Sequence, residues 1–246
     1  MRRPSCSASR RVEWNRRRWL GAVLGLSPAA ARAGRLRRLP RPEATLQDAA
    51  LAGLLDHMRR LIRNRDTRTL TAMMARDFRV EFDAGKGPQA FVRHWRPSSP
   101  ASALWDALGR LFSLDGHYYS QTLFVVPHIV AHYPIDMDPL ANVVAVRDHV
   151  NLRSGPAAGA PVTGVLEHEI IALAEPMQPP VMIRSGGFIE VVHPEVGRCF
   201  AAANDVYHPA GHRAFFEKRG GRWRWISLAA PTLADPPELT RARKPS

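Results

Sequence analysis

The chain has 246 residues, 45% of them apolar and 23% charged, which places it with globular proteins and excludes fibrous or wholly disordered classes. Its formal charge of +13 is lopsided: residues 1–38 hold eleven arginines against one acid, Glu13, and the other 208 residues carry only +3. A nucleic-acid partner is therefore not expected, because phosphate binding needs cations clustered on the folded body.

Arg16, Arg17 and Arg18 precede Trp19 and Leu20, then the apolar stretch Gly21–Ala31, then Ala31-Arg32-Ala33. Charge, apolar run and small-residue site follow one another as in an export signal. The run of about twelve residues is shorter than the roughly 20 a spanning helix needs, so the mature chain is not expected to cross a membrane. Asn15–Leu20 resembles the twin-arginine signal, with Asn15 in place of serine or threonine. Residues 1–33 are read as this signal, cleaved near Ala33, with a periplasmic destination. Residues 34–44, rich in Pro and Arg, read as a linker.

An α+β region is expected over 45–140. Leu51, Leu54, Leu55, Met58, Leu61 and Ile62 recur at spacings of three and four, the pattern of a one-faced helix. A short helix over Thr67–Ala75 leads to a strand at Phe78–Phe82, and Gly85 and Gly87 make a turn. Trp95–Tyr119 reads as a third helix, and Thr122–Ala131, rich in β-branched and aromatic residues, as a strand ended by Pro134. Short, closely spaced strands follow at 143–147, 162–166, 170–174, 188–192, 213–218 and 223–228, with Gly220-Gly221 as a hairpin signal.

Val143–Glu175 carries a resemblance. Its Asn151-Leu152-Arg153-Ser154-Gly155-Pro156 run, its Gly164-Val165-Leu166 strand end and its Ile170–Leu173 strand are similar to the first half of a bacterial SH3-like (Src homology 3-like) domain, over 33 residues. Val150 and Leu152 alternate inward while Asn151 and Arg153 project outward; Gly155 and Pro156 turn the chain. The family's exposed tryptophan is replaced by Pro176–Pro180, and Gly187-Phe188-Ile189 stands where it has glycine-tryptophan-valine.

The expected fold is thus α+β: an N-terminal helical and α+β region, a small SH3-like β-barrel over 141–206, a closing C-terminal hairpin at 207–230 that packs on the α+β region, and a tail at 231–246. The resemblance implies a non-catalytic binding protein that engages cell-wall peptide or another envelope protein near Asn151, Arg153, Ser154 and Phe188. The alternatives are a structural envelope protein with no small ligand and a cell-wall hydrolase using Cys199.

No cofactor or metal is expected. His128 and His132 are four apart, but in a strand that spacing separates them by roughly 13 Å; His208 and His212 flank Pro209 and Gly211 in a loop. Cys199 lacks a nucleophile's context, and Glu167-His168-Glu169, Asp136 and Asp138 read as solvated charge. Trp223 and Trp225 lie on one side of a strand and read as core or as a binding platform.

Overall fold

The computed structural model describes residues 35–42, 47–80, 85–177, 183 and 185–229. The expected signal, its cleavage point and the C-terminal tail lie outside them. The described residues form five α-helices, a short 3-10 helix and twelve strands in two sheets, a mixed architecture in which strands predominate. None of these helices is long and apolar enough to cross a membrane.

Helix α1 (Ala49–Arg63) starts where Asp48 accepts the amides of Ala50 and Leu51 at 2.9 and 3.2 Å, a side-chain cap for otherwise orphaned donors. Its apolar stripe, Leu51, Leu55, Met58, Leu61 and Ile62, is buried. Helix α2 (Thr67–Ala72) is capped by Asp66 and runs into strand β1 (Met74–Val80). Where a turn was expected, helix α3 (Gly87–Trp95) begins on Pro88, whose fixed φ suits a first helical turn. The expected third helix is confined to α4 (Leu104–Phe112), because Pro97 and Pro100 separate it from α3, whose C-cap Arg96 is left-handed at φ 44°.

Strands β2 (His117–Ser120) and β3 (Leu123–Val126) follow. Pro127 has no amide to donate, so the expected strand stops at Val126 and residues 129–132 turn into the short helix α5 (Ile129–His132).

The last two strands, β11 (Arg213–Arg219) and β12 (Arg222–Ala229), are joined by Gly220-Gly221 with φ 56° and 76°, the two positive values a tight hairpin turn requires. They complete the first sheet, in the order β1-β12-β11-β3-β2. Trp225 sits edge-on to Phe78, Phe91 and Phe112 at centroid distances of 4.8, 5.8 and 6.2 Å, so β12, β1, α3 and α4 share one core. Trp223 and Trp225 are both buried in this core.

The second sheet comprises β4 (Asn142–Ala145), β5 (Val150–Arg153), β6 (Val162–Leu166), β7 (Ile170–Leu173), β8 (Phe188–His193), β9 (Gly197–Ala202) and β10 (Val206–Tyr207), with the 3-10 turn Ala203–Asp205 before the last. Its order is β10-β4-β7-β8-β9-β5-β6, with no strand pair closing it into a barrel among the described residues.

Strands β4 and β7 are buried on both faces: Val143, Ala145 and Ile171 enter the second sheet's own core, and Val144, Val146 and Ile170 enter the first core. Both segments therefore read as continuous apolar runs. Residues 35–42, read as a linker, lie along this junction. The Leu39 amide donates to the His168 carbonyl and the Ile170 amide to the Arg37 carbonyl, both at 2.8 Å, while Leu36 packs on the second core and Leu39 on the first.

Candidate functional site

The residues expected to bind a ligand lie on the second sheet. Asn151, Arg153 and Phe188 share its outer face: Arg153 pairs with Phe200 on β9, which pairs in turn with Glu190 on β8, two residues from Phe188. Ser154 leaves this face and enters the following turn, where its amide donates to the Pro161 carbonyl at 3.0 Å. The Arg153 guanidinium folds back on its own hairpin and donates to the Ala160 carbonyl at 2.8 Å, and Glu190 pairs with Arg198 at 2.8 Å. Arg153 and Glu190 thus each have a partner on this face.

A concave site lies elsewhere, between α4 and the second sheet. A cavity of about 330 Å3 is lined by Trp105, Asp106 and Arg110 from α4, Arg147 after β4, Ser185 before β8, and Asn204 in the 3-10 turn. The apolar residues of α4 face the first core, which turns Asp106 and Arg110 toward the second sheet. Arg110 donates through Nη2 to the carbonyls of Ala203 and Val206 at 2.9 and 3.1 Å, and through Nη1 to Asn204 Oδ1 at 3.2 Å. It makes no ion pair among the described residues, and burial lowers its pKa. The Asp106 carboxylate, four residues earlier on the same helix, pulls the Arg110 pKa the other way by a smaller amount.

Asp106 holds the facing loop. The Ser185 hydroxyl donates to Asp106 Oδ1 and the Ser185 amide approaches Oδ2 at 3.4 Å, while the Gly186 amide donates to Asn204 Oδ1 at 3.2 Å. The lining thus includes one carboxylate and two arginines, with Trp105 beside them.

Behind it lies a smaller chamber of about 30 Å3, lined by Asp106, Arg110, Tyr207, His208 and His212 among others. The Tyr207 hydroxyl donates to the His212 carbonyl at 2.7 Å, and burial drives its pKa well above the usual phenol range. Burial pushes His208 down to about 4, and its Nδ1 accepts the Ala210 amide at 3.1 Å, which fixes the neutral tautomer. Gly211 lets this turn close, since a Cβ there would stand 2.8 Å from the His208 carbonyl and 2.9 Å from the Tyr207 ring.

The other sequence candidates separate. Cys199 is fully buried, its thiol points at the Val191 carbonyl, and burial raises its pKa. Asp136 pairs with Arg37 at 2.9 Å, and Asp138 accepts the Leu140 amide at 2.8 Å. Glu167 and Glu169 receive Arg38. His128 and His132 are not separated as strand residues: the turn of α5 brings their rings to 6.3 Å. Among the described residues no three His, Cys, Asp or Glu converge as metal ligands.

Compared with known proteins, the chain matches no family model, no curated protein and no solved structure.

Proposed function

We propose that this chain is a non-catalytic binding protein of the bacterial envelope whose cleft between α4 and the second sheet receives a segment of cell-wall peptide. The observation that carries this reading is the cleft itself: a 330 Å3 cavity lined by Trp105, one carboxylate and two guanidiniums, of which the half-buried Arg110 has its pKa lowered by burial. A peptide that bears free carboxylates and an amine complements that set. The export reading rests on the arginine-rich leader and its apolar run. The SH3-like reading of the second sheet is supported by its short, closely spaced antiparallel strands. The fully buried, protonated thiol of Cys199 weighs against the hydrolase alternative.

The test is retention of the mature chain, from Gly34, on purified peptidoglycan sacculi. Gly109 faces the cleft from α4 with nothing within 4 Å of its Cβ position, so Gly109→Trp fills the cleft from a helical site that tolerates a side chain. Retention by the wild type that is lost in Gly109→Trp and kept in Arg153→Ala supports the cleft. Equal retention by all three removes it, and loss in Arg153→Ala alone moves binding to the outer sheet face.

One observation favours a second, structural reading. Asp106, Ser185, Asn204 and Arg110 already satisfy one another across the cleft, so α4 also works as a wedge that fixes the second sheet. No retention of the wild type on sacculi would favour this role in an envelope assembly.

A further inference from the structure

The small net charge of residues 39–246 hides a local surplus. Residues 57–68, the second half of α1 and the start of α2, carry five arginines and one acid, Asp66, a net +4. The rest of residues 39–246 therefore sums to −1.

The five arginines divide by what they touch. Arg59 donates through Nε to the Phe112 carbonyl at 3.0 Å and pairs through Nη1 with Asp56 at 2.8 Å, so it is committed to the packing of α1 on α4. Arg60, Arg63, Arg65 and Arg68 are exposed, and none of them pairs with an acid among the described residues. Asp66 is turned to cap α2, where it accepts the Thr69 amide at 3.0 Å. Arg60 and Arg63 are neighbours on the surface of α1, Arg65 follows its C-cap Asn64, and Arg68 lies in the first turn of α2. Nine residues of chain thus place four cations around one helix-to-helix corner.

Arg65 occupies the position where helices commonly carry glycine. Its φ is 53°, its amide donates to the Ile62 carbonyl at 3.1 Å, and the Asp66 amide donates to the Leu61 carbonyl at 2.9 Å, which closes the end of α1. Glycine would take this left-handed conformation with less strain. The helix dipole favours a cation here, but Arg60 and Arg63 already supply that in the last turn. What Arg65 adds is a further charge at the crest of the corner.

We propose that this corner docks the chain on an anionic lipid surface, without spanning it, its four arginines meeting phosphate headgroups. Such a surface attracts exposed basic residues, each worth about fivefold in partition. Residues 56–77 contain no Phe, Tyr or Trp, so the corner lacks the rings on which the bases of a nucleic acid strand stack. None of the four arginines lines the cleft, so this contact does not rest on the cleft or on what fills it.

Co-sedimentation with vesicles tests this, using the mature chain from Gly34, which keeps every described residue and drops the leader's own arginines. Binding is expected to vesicles of mixed phosphatidylglycerol and phosphatidylcholine but not of phosphatidylcholine alone, and it should weaken as salt rises. Arg65→Gly should weaken it about fivefold while keeping or raising the melting temperature, since glycine suits that position. Arg63→Gln, Arg65→Gly and Arg68→Gln together should weaken it about a hundredfold. Arg222→Gln with Arg224→Gln, which removes two exposed arginines on β12, should leave it unchanged. The docking is overturned if the wild type ignores the anionic vesicles, if the triple variant binds them as the wild type does, or if the β12 pair weakens binding equally. Tighter binding of duplex DNA through the same arginines would also overturn it and make nucleic acid the partner.

Discussion

Lys218 and Asp48 meet at 2.7 Å across 170 residues of sequence, tying the final hairpin to the first turn of α1. The same Asp48 oxygen accepts the Trp223 indole N–H at 2.8 Å, and the other caps the helix. These bonds, Lys218 first and Trp223 next, hold the Asp48 carboxyl well below the usual carboxylate range.

A depressed carboxylate stabilises the fold above its unfolded pKa of about 4, and that contribution fades as pH falls through the folded value. An asparagine at this position would still cap the helix but could not titrate or pair with Lys218 as an anion. Asp48→Asn is therefore expected to lower the melting temperature at neutral pH and to flatten its decline below about pH 4. Thermal unfolding at several pH values checks this; parallel curves for the two proteins would show that the pair does not contribute.

Two glycines with opposite surroundings give a second prediction. Gly109 lies mid-helix in α4 with open space at its Cβ position, so Gly109→Ala should gain about 0.5–1 kcal/mol from helix propensity. Gly87 has φ 84°, and a Cβ would stand 3.2 Å from the Arg76 carbonyl, so Gly87→Ala should lose more than about 1 kcal/mol. Urea unfolding of both variants reads the difference, and a stabilised Gly87→Ala would contradict this geometry.

These elements differ in how well the sequence announces them. Helix α1 is legible because an apolar stripe follows a capping aspartate, and the β11–β12 turn because Gly-Gly takes both positive φ values at no steric cost. Residues 129–132 are not, since Ile and Val suggest a strand and a single proline overrides them. Strand β9 is obscured because Cys199 and Ala201, its inward residues, are too small to mark an apolar face. The cleft is invisible to spacing: Asp106, Arg147, Ser185 and Asn204 come from four separate segments that only the packing of α4 on the second sheet assembles. Segment 35–42 looks like a linker by composition, yet Leu36 and Leu39, three apart, reach different cores.

Cys199 lines the second core, fully buried between strands, with its thiol pKa raised. In a Cys6→Ser variant, where it is the single cysteine, it is expected to resist a thiol reagent in the native protein and to react fully in denaturant. Rapid native labelling would mean that β8 and β9 open readily, and would revive a reactive role for the thiol.

Arg110 spans three acceptors at once, the carbonyls of Ala203 and Val206 and the side chain of Asn204. Removing it leaves partly buried acceptors unsatisfied, which costs more than the bonds themselves contribute, so Arg110→Met is expected to lose about 2 kcal/mol. Arg110→Lys should recover little of that loss, because one ammonium on a flexible stem cannot reproduce the planar fork that reaches the 3-10 turn on two sides. Urea unfolding distinguishes the cases. A lysine variant as stable as the wild type would mean that positive charge alone, not the fork, holds α4 to the second sheet. The cleft would then owe its shape to Asp106 and Ser185.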